Sequence, residues 1–318
     1  MWVILSNNMG DGAEEYRQAL DYLEITRPDL AEKLIIEGIN SGSAEGNEEK
    51  EGHFRYLLSI CHTQRGKYEY AYNEIMKALD IFDEIGFFGS YCDSYVQLGN
   101  VFSHRSYRQS ILQNKSRQGN FFLQALECLS FPENQPFIRQ NNPSTIADSY
   151  IKKSELLMKI NEPVGAEMYA IRATKLVSEL ENGNTYLRAM LSLSQASQYK
   201  LDFESSMRLA TDALEIAEDQ NLPVRAMESR IIQGGSLRFM KEWNSAEEAL
   251  RTAIQEAEDI GDMFSKLRAI RQLIDVMIST EQNSEVLELD SEVSRILDEF
   301  GPYWRLNEDV MTTTTVIY

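Results

Sequence analysis

Small residues return every 40 positions along this chain, and that spacing restricts what it can fold into. Gly234, Ala246 and Ala253 are separated by 12 and 7 residues. The same offsets give Ser194, Ser206 and Ala213 one period earlier, and Ser154, Ala166 and Ala173 a period before that. Nearer the N-terminus they give Ser59, Ala71 and Ala78, then Ala19, Ala31 and Gly38. All fifteen positions in these five units are Ala, Gly or Ser, types that make up about a fifth of the chain, so composition alone does not produce the agreement. Small residues at fixed places let helices cross closely, because the contact carries little side-chain volume.

Large residues fill the flanks. Pro28, Tyr68, Pro163, Phe203 and Trp243 stand three positions before the second small residue, and Ile39, Leu79, Thr174, Leu214 and Ile254 follow the third. Apolar residues recur at three and four in AYNEIMKALDIF and AEEALRTAIQEAEDIG, the periodicity of an amphipathic helix. Each unit is therefore helix, short turn, helix, with turns expected near 64–67, 159–163, 199–202 and 240–243. Two units are irregular. The third, with Gly99 and Ala125, carries seven extra residues between those marks and eight more before Ser154. This places an insertion within 105–144 that lengthens a helix or projects as a loop. The seventh has Ile274, Val286 and Val293 where small residues belong, as a closing repeat would. Residues 301–318 form a separate tail, read as a disordered end or a docking arm.

The segment GKYEYAYNEIMKAL, 66–79, joins an aromatic near the turn to small residues 12 and 19 positions after one in the first helix. It resembles the tetratricopeptide repeat, and the likeness runs over roughly residues 10–300, with a period of 40 in place of the family's ~34. The resemblance implies an all-α, right-handed α-solenoid of about seven antiparallel helix pairs across 1–300. It also implies that the first helix of each pair lines the binding face. The inward positions then include His53, Gln64, Asp93, Ser103, Asp148, Glu228, Phe239 and Asp275. With them come the candidate groove residues: Tyr56, Asn100, His104, Glu155, Lys159, Arg188, Gln195, Gln198, Tyr199, Arg238, Arg268 and Arg271. Asn and Gln can bond both the carbonyl and the amide of an extended peptide, and Arg can grip a carboxylate through two parallel bonds. The arginines gather in the C-terminal half. They read either as an anion site, for an acidic segment or a free carboxylate, or as a solvated face paired with Glu228 and Asp275.

Fifty acidic against thirty-one basic residues give a net charge of −19, which repels a phosphate backbone and argues against nucleic acid. No apolar run approaches the ~20 residues of a spanning helix, and MWVILSNN lacks the basic start of a signal peptide, so no membrane partner and a cytoplasmic location are expected. Cys61, Cys92 and Cys128 are too widely spaced for a disulfide or metal framework, and His53, His62 and His104 read as polar surface residues. No metal, no cofactor and no catalytic residue is expected, since phosphate loops, zinc helices and nucleophile elbows are missing. The leading expectation is a non-catalytic scaffold or adaptor that binds a protein or peptide segment in its groove. Two alternatives stand beside it. One is a peptide-responsive sensor, either Rap-like or the N-terminal sensory part of a signalling protein; the other is a module that self-associates through its seventh unit or its tail.

Overall fold

The structure, a computed structural model, describes residues 12–178 and 183–300; the tail from Gly301 lies outside them. Fifteen α-helices occupy the described residues. Seven antiparallel pairs account for fourteen of them. The pairs are α1 (Ala13–Glu24) with α2 (Pro28–Glu45), α3 (Glu48–Gln64) with α4 (Tyr68–Glu84), α5 (Phe88–Ile111) with α6 (Lys115–Ser130), and α8 (Pro143–Lys159) with α9 (Pro163–Val177). After these come α10 (Gly183–Tyr199) with α11 (Phe203–Asp219), α12 (Pro223–Phe239) with α13 (Trp243–Ile260), and α14 (Met263–Ser279) with α15 (Asn283–Phe300). The remaining helix, α7 (Pro136–Asn141), is short and follows a 3-10 turn at Pro132–Asn134.

The turn inside each pair is built the same way seven times. The first residue or two of the link bends through a left-handed residue: Thr26, Gly66, Gln113, Asn161, Leu201, Lys241 and Glu281 all have φ between 53° and 68°. The next amide then reaches back five residues, as in Lys67 to the His62 carbonyl (2.8 Å), Asp202 to Ser197 (2.9 Å) and Glu242 to Leu237 (3.0 Å). This closes the carbonyls that a helix end leaves open. Six of these seven residues are not glycine, and each of those six turns carries a steric cost of roughly 1 kcal/mol that the packing of its pair offsets. Five of the seven second helices start on proline or an aromatic residue, the exceptions being α6 at Lys115 and α15 at Asn283. Proline fits the first helical position because its missing N–H has no partner there anyway, as at Pro28 and Pro163. Asn47, Asn114, Asp202 and Asp262 cap their helices by accepting an amide three residues on.

Every small residue of the 40-residue pattern is buried. At Gly234 an added Cβ would lie 2.5 Å from Leu250 Cγ, and at Gly38 it would lie 2.4 Å from the Phe54 ring, so these crossings depend on having no side chain. Serine serves the same purpose with a hydrogen bond. Ser194 Oγ donates to the Ser206 carbonyl at 2.7 Å, and Ser236 Oγ lies 3.0 Å from Ser206 Oγ, which ties α10, α11 and α12 together.

The chain forms two compact units that divide between Lys152 and Lys153, within α8. The first holds the insertion. Its α5 runs for 24 residues against 17 in α3, so the seven extra residues add two turns to that helix. The eight further residues are taken up where the 3-10 turn and α7 lie, between α6 and α8. In this unit a core of Tyr16, Leu23, Ile35, Phe54 and Leu57 joins α1, α2 and α3. His53 is part of that interior, contrary to the expectation of a surface histidine. It is 3% exposed, and its ring meets those of Tyr16, Phe82 and Phe87 at centroid distances of 5.0–5.9 Å. Burial pulls its pKa down to about 4, so the imidazole is neutral. The residue packs as an aromatic ring. Cys61, Cys92 and Cys128 are buried free thiols, each pushed up to about 12 by burial. In the second unit, Lys266 is 2% exposed and joins α13 to α15 through Glu258 and Glu292. The closing helix α15 leaves Leu287 70% exposed. No described helix is long and apolar enough to cross a membrane.

Candidate functional site

The second unit encloses a cavity of about 600 Å³. Its wall comes from the first helices of successive pairs, α8, α10, α12 and α14, with Asp290 and Val293 added by α15. The charged lining is balanced: Lys159, Arg238, Arg268 and Arg271 face Glu155, Glu228, Asp275 and Asp290. Four cations against four anions make a locally neutral wall in a chain of net charge −19.

The arginines are not equivalent. Arg238 pairs with Asp275 across α12 and α14, and its guanidinium lies 4.5 Å from the Phe239 ring centre, which itself stacks on Phe203 at 4.7 Å. Glu228 is held by Arg225 at 2.6 Å. Arg268 has no ion pair among the described residues, and its Nε is buried without a hydrogen-bond partner. It acts on its neighbours through space. Burial pushes the Tyr199 hydroxyl above its ordinary value while Arg268 pulls it back, and the Asp262 carboxyl, 2% exposed, is raised by burial to about 6 with Arg268 opposing the shift.

Two glutamines and one glycine make the floor. Gln198 Nε2 donates to the Ile232 carbonyl at 2.8 Å and to Ser236 Oγ at 2.9 Å, fastening α10 to α12. Gln272 Oε1 is buried with no partner among the described residues. A Cβ on Gly235 would stand 2.8 Å from that oxygen and 3.0 Å from Gln198 Nε2, so glycine allows both amides to rest on the α12 backbone.

No family model matches the sequence, and a search of curated proteins finds no relative. Solved structures do match. NprR in complex with its cognate peptide NprX is 9% identical, with 96% of this chain and 82% of that one covered at a TM-score of 0.57. A Rap protein complexed with competence and sporulation factor is 11% identical, covering 91% and 98% at 0.55. The chain also matches a signal transduction ATPase with a tetratricopeptide repeat sensor from Pyrococcus horikoshii, at 15% identity and a TM-score of 0.57; 88% of this chain aligns, and it spans only 40% of that protein. The fold is tetratricopeptide-like. At these identities the likeness is one of backbone path.

Within that tetratricopeptide-like frame, the cavity wall takes in Glu155, Lys159, Gln195, Gln198 and Tyr199, together with Arg238, Arg268 and Arg271. Arg188 is half-buried on α10 and does not line it. Tyr56, Asn100 and His104 belong to the first unit. There Tyr56 packs against the α1–α3 core, Asn100 donates to Gln97 Oε1 at 3.3 Å, and His104 stacks on Tyr68 at 5.9 Å. The reading of the arginines as a paired face holds for Arg238 with Asp275, whereas Glu228 goes to Arg225. Sequence reasoning passed over Gln272, Gly235, Asp290 and Met158. Gly235 directly follows a small mark and Met158 sits at an inward offset, so both were within reach of the spacing. Asp290 is on a second helix, which no first-helix offset reaches.

Proposed function

We propose that the second unit is a non-catalytic receptor for an extended peptide segment, with a ligand carboxylate received at Arg268. The observation that carries this is a cavity of about 600 Å³ whose wall includes a half-buried arginine, Arg268, with no ion pair among the described residues. A partly desolvated Arg with no carboxylate partner gains from a bidentate pair with an incoming anion. Gln195 and Gln272 offer amide groups to a peptide backbone, and the exposed ring of Phe239 gives an apolar surface for a ligand side chain. Support comes also from two fold neighbours whose structures hold a named peptide or factor.

The test is a display library of short peptides with free or amidated C-termini, bound to wild type and to Arg268→Gln. Peptides enriched by wild type should carry an acidic residue or a free carboxylate and lose at least about tenfold in affinity with Arg268→Gln. Binders indifferent to Arg268→Gln, or none at all, would refute the reading. Charge reversal at Arg238 is the poorer probe, because it breaks the pair with Asp275.

A second reading makes the same cavity the input of a sensor, favoured by the match to the repeat sensor of a signalling ATPase. A sensor should compact when an enriched peptide saturates it. An unchanged small-angle scattering profile at saturation would leave the scaffold reading standing.

A further inference from the structure

Away from the cavity, in the first unit, Glu32 on α2 and Cys61 and His62 on α3 bring a carboxylate oxygen, a sulfur and an imidazole nitrogen within 4.8 Å of one another. Among the described residues this is the one such group of three His, Cys, Asp or Glu donors. We propose that Glu32, Cys61 and His62 bind a single zinc-type divalent ion that staples α2 to α3, with water completing the coordination.

The donor set selects the ion. Thiolate and imidazole favour a borderline-soft metal, whereas magnesium and calcium require oxygen ligands throughout. Zinc bonds of about 2.0–2.3 Å in a tetrahedron place ligand atoms roughly 3.3–3.8 Å apart, so about 1 Å of side-chain movement closes the site. Two features point to a ligand there. His62 Nδ1 is buried with no hydrogen-bond partner among the described residues, although its ring packs beside Tyr70 at 5.7 Å. Cys61 Sγ donates one weak hydrogen bond, 3.4 Å, to the Pro28 carbonyl, and it gives up that proton when the thiolate takes a metal. An outer partner is also in place. Arg65 holds Glu32 through Oε2, which orients the carboxylate and leaves Oε1 for a metal. Glu32 and His62 are half-exposed, giving the ion a way in. On binding, the Cys61 thiol loses its proton to solvent and a sulfur–metal bond forms.

The experiment uses untagged full-length protein stripped with a chelator, then titrated with zinc by calorimetry and with cobalt(II) by absorption. The expected result is one equivalent of either metal, a near-ultraviolet thiolate-to-cobalt band, and a higher unfolding temperature with zinc. Cys61→Ser should abolish the band and the thermal shift, and His62→Gln should weaken binding at least about tenfold. Cys92→Ser and Cys128→Ser should change neither. Circular dichroism of each variant checks that it folds. Cobalt bound without the thiolate band, zinc bound equally by Cys61→Ser, or no stoichiometric uptake by folded wild type would each overturn the proposal.

Discussion

Replacing Gly234 by alanine should destabilise the second unit, although the same change in an open helix stabilises. Alanine is favoured over glycine within a helix by about 0.8–1.0 kcal/mol. Against that, the new methyl group would sit 2.5 Å from Leu250 Cγ and 2.6 Å from Cδ2, where carbon atoms pack best at about 3.5–4 Å. Leu250 is 0% exposed and has no room to retreat, so the overpacking cost of about 1–3 kcal/mol applies. The net expectation is a loss of about 1 kcal/mol. Gly119 is the control: it is exposed on α6 with nothing within 4 Å of an added Cβ, and Gly119→Ala should gain close to the full helix term. Leu250→Ala alone should cost about 2–5 kcal/mol through the cavity it leaves. In that background Gly234→Ala should change sign and stabilise, a coupling of about 2 kcal/mol. Urea unfolding followed by Trp243 fluorescence, with Trp2 and Trp304 replaced by Phe, reports on the second unit, and far-ultraviolet circular dichroism follows Gly119→Ala in the first. If Gly234→Ala stabilises as much as Gly119→Ala, close helix approach is not why the pattern is small, and the argument from the 40-residue period to packing fails.

Leu201 has φ 64° and is 58% exposed, so Leu201→Gly should relieve a left-handed strain without losing packing and stabilise by about 0.5–1 kcal/mol, read as a higher urea midpoint. His53 titrates near 4 in the fold against 6.5 when unfolded; its contribution is complete above pH 6.5 and is lost as the pH falls towards 4. Urea midpoints measured across that range should fall less steeply in His53→Leu than in wild type. The sign reverses at Asp262, which titrates near 6 against 3.8: its contribution is complete below pH 3.8 and is lost as the pH rises through 6. Asp262→Asn keeps the helix cap and should remove a penalty on the order of 3 kcal/mol at pH 7, seen as a flatter stability profile between pH 4 and 7.

The architecture was legible because one physical demand, close helix crossing, recurs in five units and there admits only three residue types. The seven left-handed turns were not legible residue by residue. Thr26, Gln113, Leu201, Lys241 and Glu281 share no chemistry, and what fixes their conformation is the helix that follows. Their position was still implied by the period: the seven positive-φ residues, six of them not glycine, are spaced by 40, 47, 48, 40, 40 and 40. The two longer steps are the seven- and eight-residue additions of the insertion. His53 was misjudged because an inward offset was equated with solvent. In the first unit Tyr16, Phe82 and Phe87 close over that position, and a polar residue surrounded by rings cannot be told from a groove residue by spacing alone.

The cavity shows where spacing stops being informative. Offsets from the small marks select residues that face the same side of successive first helices, and eight candidates do line one cavity. They do not say which charges cancel. Arg238 and Asp275 are 37 residues apart and Arg225 and Glu228 are three apart, yet both pairs close, while Arg268 stays without an ion pair among the described residues. Pairing at the longer separation depends on how far α14 is rotated and shifted against α12, a quantity set by every side chain between them. In a low-dielectric wall the difference is large: a paired guanidinium gains little from a ligand carboxylate that must first displace its partner, and an unpaired one gains the whole interaction. Recognition by this cavity should therefore track Arg268 far more than the arginine count, and a ligand's affinity should fall with Arg268→Gln while surviving the double change Arg238→Gln/Asp275→Asn, which removes a pair together.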